Sequence, residues 1–301
     1  MDDTERSPDR RVQWSPGSEI PVSPSIAIAR SEWAIDRYEK LGVRQPPDNR
    51  LEESRRFVAQ FAGRKAPFDA ADEELLHRIV ECIQTCFEHY LIARSTGPIS
   101  GNLPPEMVRK IEESLTGAEV ADEEVDSPGR DTQFELFMRA LLVMGEVPVR
   151  IAEPDLKFLY NGQEVGLAAK RVKRPRKLRR RFNDGVEQIE KTGPGFVTIN
   201  ADLLVRNLGA EENAAELGAR FEGRLKALER IDKEFNSHRL VMGRLVFGTD
   251  AIWQLGKERP RLEVRAFHDY RAYSKSREEA ETADRFFPTL MARIHQRMEQ
   301  L

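Results

Sequence analysis

The sequence predicts a mixed α/β (α+β) fold in which a central sheet is flanked by helices and preceded by a small helical region. Three observations carry this. Up to about residue 116, apolar residues recur at helical spacing with no strand pattern between them. From about residue 131, helical patterns alternate with short β-branched and aromatic runs, the order expected of a sheet covered by helices. Between two of those runs lies Asn161-Gly162, the pair best suited to a two-residue hairpin turn.

Taken in order, residues 1–30 are rich in charge and in Ser-Pro pairs (Ser7-Pro8, Ser15-Pro16, Ser23-Pro24). They carry too little apolar surface to offset ordering entropy, so a disordered tail is expected. Helices are expected over residues 31–41, 48–62, 72–94 and 104–115. The third is the strongest, with Leu75, Leu76, Ile79, Ile83, Cys86 and Tyr90 on one face. This makes 31–116 a helical region, and the acidic, aperiodic stretch 117–130, which closes on Ser-Pro-Gly, a linker. A second domain, 131–301, opens with a helix from Thr132 to Gly145. Strands follow at Val147–Ile151, Leu156–Tyr160 and, across the Asn-Gly turn, Gln163–Arg171. Then come a helix Leu178–Lys191 stopped by Gly193-Pro194-Gly195, a strand Phe196–Asn200 and a helix over 213–235. Strands Leu240–Phe247 and Leu262–Phe267 precede a last helix near 277–300, with Pro288 as the expected bend.

Composition narrows the function classes. The 301 residues are 33% charged and 40% hydrophobic, without the run of about 18 apolar residues a membrane span needs. The N-terminus lacks an apolar targeting core, and Cys82 and Cys86 are the only cysteines, so a reducing cytoplasm is the expected location. Cys82, Cys86 and His89 share a helix face, where cysteines are more often core than zinc ligands. The net charge is only −3, but nine of the twelve residues from Lys170 to Arg181 are basic and none is acidic. Such a stripe concentrates the field at one place.

Several residues then fall into a recognisable order. Glu135 lies in the first helix of the second domain, and Pro154-Asp155 enters the first hairpin arm. Ala168-Ala169-Lys170 lies on the return arm, and Gln188 on the next helix. This order resembles the PD-(D/E)XK nuclease superfamily over roughly residues 131–207, which implies a restriction-endonuclease-like sheet. The resemblance implies a nuclease, most simply acting on DNA, that uses Mg²⁺ or Mn²⁺. Asp155 and Glu135 would hold the metal, Lys170 would assist the attack, and Gln188 would support the site. The chemistry is coherent: hard cations prefer carboxylate oxygens, and positions two apart on a strand share a face. The stripe residues Arg171, Lys173, Arg174, Arg176, Lys177, Arg179, Arg180 and Arg181 would grip the phosphate backbone.

The chain departs from that pattern at Ala168, where the superfamily carries the second strand acid. Glu153, Glu187 and, more distantly, Glu164 are the substitutes within reach by sequence. Other readings also stand. Asp155 suits a turn, and Thr132-x-x-Glu135 spells a capping box. The basic run suits a solvated surface or a targeting signal. A catalytically degenerate protein that binds nucleic acid without cutting is the alternative. A further one is an interaction protein, dimerising or recruiting a partner through its helical region or stripe.

Overall fold

The computed structural model describes residues 24–61, 73–97, 103–117, 127–172, 177–200, 238–255, 260–273 and 276–299. The expected helix over 213–235 and Lys173, Arg174 and Arg176 of the stripe lie outside these residues.

Four helices come first: α1 (Pro24–Lys40), α2 (Arg50–Ala59), α3 (Glu73–Arg94) and α4 (Pro105–Ser114). α1 starts seven residues before the expected position, because Ala27 is part of the buried core and Pro24 supplies a first-turn residue that needs no amide partner. Asn49 caps α2, its side chain accepting from the amides of Leu51 and Glu52. α5 (Pro128–Met144) also begins earlier than expected. The Ser-Pro-Gly stretch opens this helix, with Ser127 at the cap position and Pro128 in the first turn. Thr132 therefore lies inside α5, and the capping-box explanation of Glu135 falls away.

Among the described residues six strands follow: β1 (Val149–Ala152), β2 (Asp155–Tyr160), β3 (Gln163–Arg171), β4 (Gly195–Asn200), β5 (Val241–Leu255) and β6 (Pro260–Ala272). They form one sheet in chain order. β1, β2 and β3 pair antiparallel, β3 with β4 and β4 with β5 pair parallel, and β5 with β6 pair antiparallel. Asn161 and Gly162 both take positive φ, 51° and 76°, as a type I′ hairpin requires. Helix α6 (Leu178–Thr192) makes the crossover between the parallel strands β3 and β4. The last helix, α7 (Arg277–Glu299), runs through Pro288. Both final strands are longer than the sequence predicts.

Each sheet face has its own cover. Leu156, Phe158, Leu167 and Ala169 join one core with residues of α1 to α5 and α7. Ala168, Val172, Val197 and Ile199 join a second core with Leu178, Phe182, Val186 and Ile189 of α6. β3 is covered on both sides, which is why its sequence reads as a nearly continuous apolar run.

A buried polar network ties the helical region to α5. Arg50 is completely buried; its Nη2 donates to Ser114 O at 2.5 Å and to Gln133 Oε1. Gln133 Nε2 donates to Glu88 Oε2 at 2.5 Å, and Gln84 Nε2 to Glu88 Oε1 at 2.7 Å. Burial and the nearby guanidiniums of Arg130 and Arg171 push the Arg50 pKa well down. Cys82, Cys86 and His89 are all fully buried in this helical core. Burial pushes the Cys86 thiol up to about 12 and, as the leading cause, His89 down to about 3.

Candidate functional site

Strand parity decides which side chains meet. Leu156 pairs with Leu167, so Asp155 and Ala168 fall one step further, on the face that α6 covers. Lys170 shares that face; α6 approaches so closely that a Cβ on Gly185 would lie 3.4 Å from Lys170 Cγ and 2.8 Å from Val197 Cγ1. Lys170 Nζ donates to Asp155 Oδ2 at 3.2 Å, with the side chains only 12% and 11% exposed. The same Oδ2 accepts the Ala169 backbone N–H at 2.7 Å. Asp155 thus takes over from the ladder where β2 begins.

Glu135 lies on α5, and its charge acts on Asp155. Its Oε2 accepts from Lys110 Nζ of α4, both side chains being 17% exposed. Nothing in the sequence singles out Lys110, because no motif connects α4 to the hairpin. Burial pushes the Asp155 carboxyl up to about 6; Lys170 pulls it down, and the Glu135 charge pushes it further up. Two carboxylates therefore stand close enough to feel each other, each held by its own lysine. Gln188 reaches over from α6, with Nε2 3.5 Å from Pro154 O, and its Oε1 is buried without a hydrogen-bond partner.

Of the substitutes for the missing acid, Glu164 is the one the hairpin carries away. Ala168 is completely buried in the apolar core beneath α6. Glu153 and Glu187 are exposed. Glu164 is engaged at the far end of the hairpin, accepting from Arg150 Nε at 3.0 Å and Nη2 at 2.8 Å. Among the described residues, no three Asp, Glu, His or Cys side chains gather as a metal-binding group. Asp155 and Glu135 are partly buried carboxylates, each paired with a lysine. Carboxylates suit a hard cation of the Mg²⁺ kind, which takes one or two of them and fills its other positions with water and phosphate oxygens.

The stripe divides in two. Lys177, Arg179, Arg180 and Arg181 occupy the start of α6; Arg179 and Arg180 are exposed, and Arg181 Nη1 lies 3.8 Å from Asp184 Oδ2. The first turn of α6 contains no acidic residue. Arg171 differs from them. It is 7% exposed and stands beside the Arg50 network on the opposite sheet face from Lys170, so its guanidinium is not on the surface the others share.

No helix among the described residues is long and apolar enough to cross a membrane. No family model, no curated protein and no solved structure matches the chain.

Proposed function

We propose that the protein is a divalent-metal-dependent nuclease of the PD-(D/E)XK kind that hydrolyses phosphodiester bonds, with DNA as its substrate. The observation that carries this reading is the meeting of Asp155 and Lys170 across the β2–β3 hairpin, with the charge of Glu135 acting on Asp155. Asp155 and Glu135 would hold the Mg²⁺ or Mn²⁺ ion, whose chemistry is to neutralise the phosphate and activate water. Lys170 would stabilise charge developing on the phosphoryl oxygens. Gln188 orients groups near Pro154. The N-terminus of α6 with Arg179 and Arg180 receives the backbone. Basic residues there oppose the helix dipole, an arrangement that favours an incoming anion over the isolated helix.

The test is incubation of the purified protein with plasmid, linear DNA and RNA in Mg²⁺ or Mn²⁺, beside Asp155→Ala and Lys170→Ala. Cutting by the wild type alone supports the proposal. Equal cutting by all three proteins would reveal a contaminant and sink it.

One observation favours a second reading, a degenerate nuclease fold that binds nucleic acid without cutting it. Ala168 stands where the second strand acid belongs, and it is packed into apolar core. On that reading no divalent ion yields cleavage. Replacing Lys177, Arg179 and Arg180 with Gln should still weaken DNA binding and flatten its salt dependence.

A further inference from the structure

Lys110 belongs to α4, in the helical region, yet its ammonium reaches a carboxylate of the proposed site. Met107, buried on α4, and Ile111, fully buried there, fix the helix beneath it, and a flexible four-carbon stem carries the Lys110 headgroup. With Glu135 held by Lys110 and Asp155 held by Lys170, the site carries two negative and two positive charges before any ion arrives. An added divalent cation would meet carboxylates that are already neutralised, with an ammonium on the Glu135 oxygen it needs.

We propose that Lys110 is a built-in counter-ion which a divalent cation displaces from Glu135, and that the released ammonium then bonds the nucleic-acid phosphate beside that ion. The inference rests on the reading of Glu135 as a metal ligand. Two like charges a few ångströms apart at a partly buried carboxylate repel strongly. Exchange is therefore favoured over sharing. The phosphate supplies the negative charge that the exchange leaves missing. It follows that the protein alone binds the ion weakly and that substrate strengthens the binding. An ordinary α4–α5 ion pair would behave differently, because its removal would change stability and leave ion affinity where it was.

The experiment is a Mn²⁺ titration of the full chain, without nucleic acid, followed by electron paramagnetic resonance. It compares wild type, Lys110→Gln, Lys110→Arg and Glu135→Gln. Lys110→Gln is expected to bind Mn²⁺ about tenfold more tightly than wild type, a difference of about 1.4 kcal/mol. Lys110→Arg, which keeps the charge, should stay within about twofold of wild type. Unchanged affinity in Lys110→Gln overturns the counter-ion role and leaves the nuclease reading intact. Wild-type affinity in Glu135→Gln, or no Mn²⁺ binding by any of the proteins, overturns both. Should Lys110→Gln fail to fold, the side-chain ammonium resonance of Lys110 in the wild type decides the matter. A saturable shift on adding Mg²⁺ supports the exchange, and an unmoved resonance rejects it.

Discussion

Asp155 Oδ2 accepts hydrogen bonds from two consecutive residues of the neighbouring strand, the Ala169 amide and the Lys170 ammonium. One carboxylate oxygen thus both closes the sheet where β2 begins and anchors the lysine on which the proposed chemistry depends.

That double duty predicts opposite effects of single and double replacement. Asp155→Leu leaves Lys170 buried without its counter-charge and should cost about 3–5 kcal/mol in urea denaturation. Lys170→Met should also destabilise, by less, because Asp155 can take up a proton. The double variant should recover the part of the loss that comes from the stranded charge, but not the part that comes from the Ala169 amide left without its acceptor. Additive losses would show that the two side chains do not form a pair in solution.

The acidity of Asp155 sets a pH signature. Its carboxyl titrates near 6 in the folded protein and near 3.8 when unfolded. The folded state therefore holds the proton more tightly. The stability linked to this group is fully present below about pH 3.8 and is lost as pH rises to about 6. Relative to Asp155→Asn, the wild type should lose ground across that window in chemical denaturation curves. Mn²⁺ binding should run the other way, rising through about pH 6 as the carboxyl ionises. A flat comparison between pH 4 and 6.5 would contradict the assigned acidity.

Arg50 should prove the most sensitive residue of the helical region. Arg50→Met strands Ser114 O and Gln133 Oε1 in the interior, and a loss of about 3 kcal/mol is expected. Hydrogen exchange should quicken in α2 and α5 together. Faster exchange in α2 alone would mean that the network does not link the two.

Gly195 is fixed by the pairing of β3 with β4. A Cβ there would lie 2.4 Å from Gly166 O, a backbone atom with no room to give. Gly195→Ala should destabilise by about 1–3 kcal/mol, read from its thermal midpoint, with the circular dichroism of the folded state retained. A midpoint equal to that of the wild type would rule out this close approach.

Much of this arrangement was legible in the sequence, and the rest failed for identifiable reasons. The Asn161-Gly162 turn, with apolar alternation on either side, locates the hairpin, and period-two parity aligns Asp155 with Lys170. Parity also carried a warning about Arg171: it follows Lys170 on a strand, so it faces the other way, into the Arg50 network. The start of α5 was obscured because Ser-Pro-Gly reads equally as a turn and as a helix cap. Lys110 could not be found from sequence. Its partner Glu135 lies on another helix, and only tertiary packing brings α4 against α5. The restriction-endonuclease-like identity of the sheet remains our proposal; the mixed six-stranded sheet flanked by helices is what the structure displays.

The core shared by the four leading helices and the sheet bears on how portable this protein is. A fragment trimmed to begin at Asp131 would keep every strand, yet it would expose the apolar side of α5 and lose Arg50, Glu88 and Lys110 at once. The helical region is better regarded as one wall of the vessel than as an attached handle. Grafting the hairpin and α6 onto another scaffold would transfer the motif without the surroundings that set its charge.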